Sequence, residues 1–190
     1  MALKDLFGRR KRSSSVDRDR LFALSTARVT LEMELGLRTA GVAAVVFKPM
    51  SSGEFVRAES DLEQLLDSVA AEAGSKIERK TDSFGYEWLI VRDNDLEDLV
   101  TSANLIASEL SDAGFGQQLL AAPFRFSGGK NPVYFVYGFK TASFWPFVPM
   151  GDGGQERDNA EELELKAKLE KELPIEPDLT KWLALYDAPI

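Results

Sequence analysis

Residues 84–126 constrain the fold most, because they read as strand, helix and strand with a signal at each joint. In Phe84-Gly85-Tyr86-Glu87-Trp88-Leu89-Ile90-Val91-Arg92, Tyr86, Trp88 and Ile90 alternate with Glu87, Leu89 and Val91. The second set is also mostly apolar, which marks a strand covered on both faces. Asn94 stands three residues before Glu97, the spacing of a capping box. Leu96, Leu99, Val100, Ala103, Ile106, Ala107 and Leu110 then recur as one apolar helical stripe. Gly114 is placed to stop that helix in the left-handed conformation, with Phe115 folding back on Leu110. A second strand over 119–126 leaves from the stop. This block predicts a fold and contains no catalytic residue set.

The flanks extend the same pattern. Residues 17–37 fit two periods. Val29, Leu31, Met33, Leu35 and Leu37 alternate as in a strand, whereas Leu21, Leu24, Arg28, Leu31 and Leu35 share one helical face. A helix is favoured, since Gly36 stands where a helix stop would, and a strand over 26–36 stays open. Residues 41–47 form an apolar run of strand length ended by Pro49. Ser60 with Glu63 repeats the capping spacing ahead of a stripe of Leu62, Leu65, Leu66, Val69, Ala70 and Ala73, stopped by Gly74. A weak strand over 76–81 enters the turn Asp82-Ser83-Phe84-Gly85.

Beyond the central block, residues 127–131 join two strands, the second carrying Val133, Phe135, Tyr137 and Phe139 on one face. Pro123 in the first predicts a bulge or an edge position. Residues 157–173 read as a charged helix with Leu165, Leu169 and Leu173 on one side and Glu162/Lys166 and Glu164/Lys168 pairs one turn apart. Pro174-Ile175-Glu176-Pro177 breaks it. Asp178 then caps a short final helix with Leu179, Trp182, Leu183 and Leu185, expected to pack back on the body. Together these elements predict one α+β domain over 17–190, a mainly antiparallel sheet with packed helices. A basic arm over 1–16, expected to be flexible, precedes it, and 151–156 is a flexible linker.

The 190 residues contain neither cysteine nor histidine. That excludes disulfides, thiol nucleophiles, histidine general bases and the usual zinc ligand sets. No apolar run approaches the roughly 18 residues of a membrane span, and the broken apolar start predicts no signal peptide. The net charge of −8 argues against nucleic acid as the main partner. Gly129-Lys130 does not make a phosphate loop, because Phe124 and Asn131 replace the required Gly and Ser/Thr. No cofactor or metal site is expected. Asp152, Glu156 and Asp158 are the best carboxylate cluster, and a charge run of this kind is ordinarily a solvated face.

Two features point to binding. Lys4, Arg9, Arg10, Lys11 and Arg12 crowd the first 12 residues against Asp5 alone. Such a cluster suits an anionic membrane, at about 1 kcal/mol per basic residue near the surface. Phe144-Trp145-Pro146-Phe147-Val148-Pro149-Met150 is an extended aromatic crossing. It either covers the core or a sheet edge, or offers Phe144, Trp145 and Phe147 as an exposed patch for a partner helix.

Several segments, in order and spacing, resemble the PspA-associated protein family PspAB. They are Phe84 to Asp93 in the strand, Asp112-Ala113-Gly114-Phe115-Gly116-Gln117-Gln118-Leu119-Leu120, Phe144-Trp145-Pro146-Phe147-Val148-Pro149, Arg157-Asp158-Asn159-Ala160 and Leu173-Pro174-Ile175-Glu176-Pro177-Asp178-Leu179-Thr180-Lys181-Trp182. The resemblance spans about 21–189. It implies a role in the phage-shock, envelope-stress system, beside the coiled-coil protein PspA and often an HtpX-like membrane protease, and it supplies no catalytic residue to carry over. The expectation is a non-enzymatic cytoplasmic adaptor, peripheral at the inner membrane face, that binds a PspA-like protein or the protease. A secretion-chaperone-like, dimeric module holding an extended client against its sheet is the alternative, and a hydrolase built on Asp152, Glu156 and Asp158 is a distant third. The oligomeric state stays open.

Overall fold

A computed structural model describes residues 20–73, 75–151, 155–186 and 188–190, without the side chains of 69–73. The described residues open with two short helices, α1 (Ala23–Thr26) and α2 (Arg28–Met33), so the helical period prevails over the alternating one. The reason is burial. Leu21, Leu24 and Leu31 enter the core, while Val29 and Met33 point outward. Then follow β1 (Arg38–Phe47), α3 (Gly53–Ala73), β2 (Lys76–Thr81), β3 (Glu87–Arg92), α4 (Leu96–Asp112), β4 (Leu119–Ser127), β5 (Val133–Gly138) and β6 (Ser143–Phe147). A two-residue hairpin, β7 (Pro149–Met150) with β8 (Glu156–Arg157), leads into α5 (Asn159–Leu169). The hairpin brackets the expected linker and already includes Glu156, while 152–154 lie outside the described residues.

The six long strands form one antiparallel sheet in the order β2-β3-β1-β4-β5-β6. This is an α+β fold, as the pattern predicts. Strand alternation sends side chains to two faces. Ala43, Val45, Phe47, Leu89, Val91, Phe124, Phe126, Val133, Phe135, Tyr137 and Phe144 face the helices in one large core. Val42, Ala44, Val46, Trp88, Ile90, Ala121, Tyr134, Val136, Trp145 and Phe147 face the other way and are equally covered.

The helix joints differ in detail from the expected ones. The side chain of Asp95, not Asn94, caps α4 by accepting the Glu97 N–H at 2.8 Å. Asp95 has the extended backbone that a cap requires, and Asn94 lies one residue too early. α3 starts at Gly53, where the Ser52 hydroxyl accepts the Phe55 N–H, so Ser60 lies inside the helix. The stop after α4 is as expected. The Phe115 N–H reaches the Leu110 carbonyl at 2.8 Å and the Gly114 N–H reaches Ser111. Gly114 has φ 93, a conformation that only glycine adopts without strain. The expected stop at Gly74 lies outside the described residues.

Pro123 occupies an interior strand and not an edge. The β1–β4 pairs pass from Ala43↔Phe124 to Val46↔Ala121 without one at Pro123, which has no N–H to give. On α5, Glu164 pairs with Lys168 as expected, but Lys166 pairs with Glu170. Glu162 turns into the core instead.

The two sheet edges are treated differently. On β2, Lys76, Glu78 and Lys80 leave a charged, exposed edge, which discourages further strand pairing. Along the outer side of β6 runs the 174–176 segment. The Phe144 N–H donates to the Pro174 carbonyl and the Glu176 N–H to the Phe144 carbonyl, both at 2.8 Å.

Candidate partner-binding surface

The three aromatic residues expected as an exposed patch are buried and do not share a face. Phe144 (0% exposed) joins the helix-side core, while Trp145 (4%) and Phe147 (0%) lie on the opposite face. A β-strand admits no other arrangement for neighbouring residues. The reading of an exposed docking patch is therefore corrected, and the segment is a core-forming edge strand. Gly138 on β5 makes room for it. A Cβ there would meet the Trp145 ring at 2.8 Å, so the indole approaches the neighbouring strand this closely because position 138 has no side chain.

What covers Trp145 and Phe147 is the C-terminal segment. It is not the expected helix. Asp178 does cap a turn, accepting the Thr180 N–H at 3.0 Å, but only the 3-10 turn Leu179–Lys181 forms. Leu179 and Leu183 stay exposed, whereas Trp182 is buried and Leu185, Tyr186, Ala188 and Ile190 pack on the sheet. The base is firmly held. Buried Glu176 accepts the Ser143 hydroxyl at 3.1 Å and the Asp178 N–H at 3.1 Å, and the Trp182 indole N–H donates back to the Glu176 carbonyl at 2.9 Å.

Beyond Trp182 the chain crosses the sheet as a strap with little internal hydrogen bonding. Side chains of the body bind main-chain oxygens of Trp182 and of the strap. Arg157 Nη1 donates to Trp182 at 2.9 Å, Trp145 Nε1 to Leu183 at 3.0 Å, and the Tyr134 hydroxyl to Ile190 at 3.0 Å. Burial raises the Tyr134 pKa against the attraction of Arg125, so the hydroxyl remains a donor at neutral pH. The Tyr186 ring stands edge-on to Phe147 at 5.3 Å.

Arg157 is aimed by a buried carboxylate. Both oxygens of Glu162 accept its Nε at 2.9 Å, and Glu162 also accepts the Val148 N–H at 2.9 Å. The guanidinium lies over the Phe147 ring, 5.3 Å from its centre. Its Nη2 is buried with no hydrogen-bond partner. Sequence reasoning missed Arg157 and Tyr134; it expected the segment after Asp178 to pack back on the body, as Trp182 and Leu185 do, but as a helix and not as a strap. A signal was present, because β1, β3 and β5 are apolar on both faces and the helices can cover only one.

A concavity of about 420 Å³ lies between the end of α2, the β4–β5 loop and α5. Glu34, Asp158, Glu161, Glu164 and Lys168 line it with Leu35, Leu37 and Leu165. Burial raises the Glu161 pKa, and Asp158, Glu164 and Glu162 add to this against Lys130. Of the carboxylates considered for a metal, Asp158 caps α5 by accepting the Glu161 N–H at 3.0 Å, Glu156 lies in β8, and Asp152 is outside the described residues. Lys4, Arg9, Arg10, Lys11 and Arg12 also lie outside them. Among the described residues no helix is long and apolar enough to cross a membrane.

Comparison with known proteins gave one match. A family model described as PspAB, PspA associated protein B, matches residues 1–190, the whole chain. No curated protein matches, and no solved structure does.

Proposed function

From the premise that the chain belongs to the PspAB family, PspA associated protein B, we propose that it is a non-enzymatic adaptor of the PspA-linked envelope-stress response. It binds a PspA-like coiled-coil protein at the cytoplasmic face of the membrane. An HtpX-like membrane protease is the second candidate partner. The whole-length family match carries this reading, because the family is named for association with PspA. In this reading Lys4, Arg9, Arg10, Lys11 and Arg12 supply the membrane contact, as a basic cluster beside a body whose acidic residues bring the whole chain to −8.

The test is a titration of the purified chain against the PspA homologue of the same genome, at low and at physiological salt. Saturable binding at both is the expected result. Binding at low salt alone would assign it to the basic arm, since exposed charges are screened beyond about 10 Å at 0.1 M salt. No binding at either salt would overturn the PspA reading and pass the question to the protease.

A further inference from the structure

The sheet has two apolar faces and two unequal covers. Helices α1 to α5 hold one face. On the other, the buried apolar side chains come from five strands, β3, β1, β4, β5 and β6. At about 4.8 Å between strands this face is roughly 19 Å across. The described residues of 183–190 are what cross it, with Leu185, Tyr186, Ala188 and Ile190 packed on it, together with the base at Trp182.

The attachment of this strap has a particular chemistry. The body's hydrogen bonds to it run from the Trp145 and Tyr134 side chains to the main-chain oxygens of Leu183 and Ile190, and Arg157 holds the adjoining Trp182 in the same way, so they read backbone and not side-chain identity. Within the strap, the Ala188 N–H to Leu185 carbonyl bond (3.2 Å) closes a turn, and among its described residues no strand ladder ties it to the sheet. Leu183 is 63% exposed. The Nη2 of Arg157, on the guanidinium that holds Trp182 at the start of the strap, is buried and finds no acceptor, although buried donors nearly always find one. A segment that offered one more carbonyl or carboxylate beside Arg157 would complete this site better than the strap does.

We propose that this face is a binding site for an extended, largely uncharged segment of a partner protein, rich in aromatic and aliphatic residues, and that 183–190 is its intramolecular occupant. The strap itself defines the ligand chemistry. Trp182-Leu183-Ala184-Leu185-Tyr186-Asp187-Ala188-Pro189-Ile190 carries one formal charge. Trp182 and Glu176 hold the base in place while the strap leaves, so release requires no rearrangement of the sheet. The proposal rests on the protein-binding reading above but not on PspA as the partner.

The experiment uses the full chain and a fluorescent synthetic peptide of residues 178–190, with no PspA present. The strap competes at the high local concentration of a tethered ligand, so the wild-type chain should bind the peptide weakly. Tyr186→Ala removes the ring contact with Phe147 from the strap and leaves the receiving face intact. It should tighten peptide binding about tenfold, because a weaker closed state reduces the apparent affinity less. Absence of saturable binding to both chains, each folded by circular dichroism, overturns the proposal. So does a stable dimer that the peptide does not enter, which assigns the face to a second copy. If Tyr186→Ala does not fold, proton exchange at the Trp145 indole of the wild-type chain decides. Exchange faster than global unfolding supports a strap that opens, and exchange only through global unfolding overturns it.

Discussion

Between Phe144 and Trp145 the side chains pass from the helix-side core to the face under the strap. The consequence is thermodynamic. Trp145→Ala or Phe147→Ala deletes a fully packed ring and should cost about 3–5 kcal/mol. Urea unfolding would show this as a lower midpoint at nearly unchanged slope. Phe84→Ala is the control, because Phe84 is 75% exposed at the tip of the β2–β3 turn. Its effect should stay within about 0.5 kcal/mol. A loss below about 1 kcal/mol for Trp145→Ala would show that the indole is not part of the core. The identity of these aromatics was legible in the sequence as a choice between core and patch. Their division between two faces needed the register Phe135↔Pro146 and Val136↔Trp145 of β6 on β5.

At the scale of elements, the β2–β3 hairpin shows how charge fastens an edge. Arg79 on β2 bonds Glu87 at 2.8 Å, Glu63 at 2.6 Å and Glu59 at 3.1 Å, and so ties α3 to the exposed end of the sheet. One cation serves three carboxylates. Burial accordingly raises the Glu59 pKa despite Arg79, with Glu87 and Glu63 adding to the rise. At the hairpin turn, Asp82 accepts the Phe84 and Tyr86 N–H groups and the Trp88 indole N–H, each at 2.9 Å. Burial would raise its pKa, but the bonds from Trp88, Tyr86 and Phe84 outweigh it and the net shift is downward. A carboxylate with a depressed folded-state pKa stabilises the fold above its unfolded value, about 3.9 for Asp, and loses that contribution as pH falls through the folded value. Asp82→Asn should therefore be less stable than wild type at neutral pH, and the gap should close below about pH 4. Thermal unfolding from pH 7 to pH 3 would check this, and a gap independent of pH would rule out the carboxylate as its cause.

For the whole molecule, the layer order is helices, sheet and strap, and the last layer is the thinnest. Removing 183–190 should expose a continuous apolar face and cause self-association, since soluble monomers rarely present such a patch. Light scattering would detect it. A truncated chain that stays monomeric, with an unchanged unfolding midpoint, would mean that the strap is not a structural layer.

The sequence by itself determined the fold class and the central elements, though not the form of the C-terminal segment after Asp178. The doubled apolar alternation of 86–91, the stripe from Leu96 to Leu110 and the glycine stop at 114 are local signals, set by periodicity and backbone sterics within a few residues. The basic run and the absence of His and Cys are likewise plain without coordinates. Only the tertiary structure decided what covers the second face, and that Arg157, Trp145 and Tyr134 converge on main-chain oxygens of one segment. These contacts join residues 25, 38 and 56 positions apart. No periodicity connects such positions. Their meeting depends on the order β1-β4-β5-β6 and on a chain end that returns across it, and both are properties of the packed molecule.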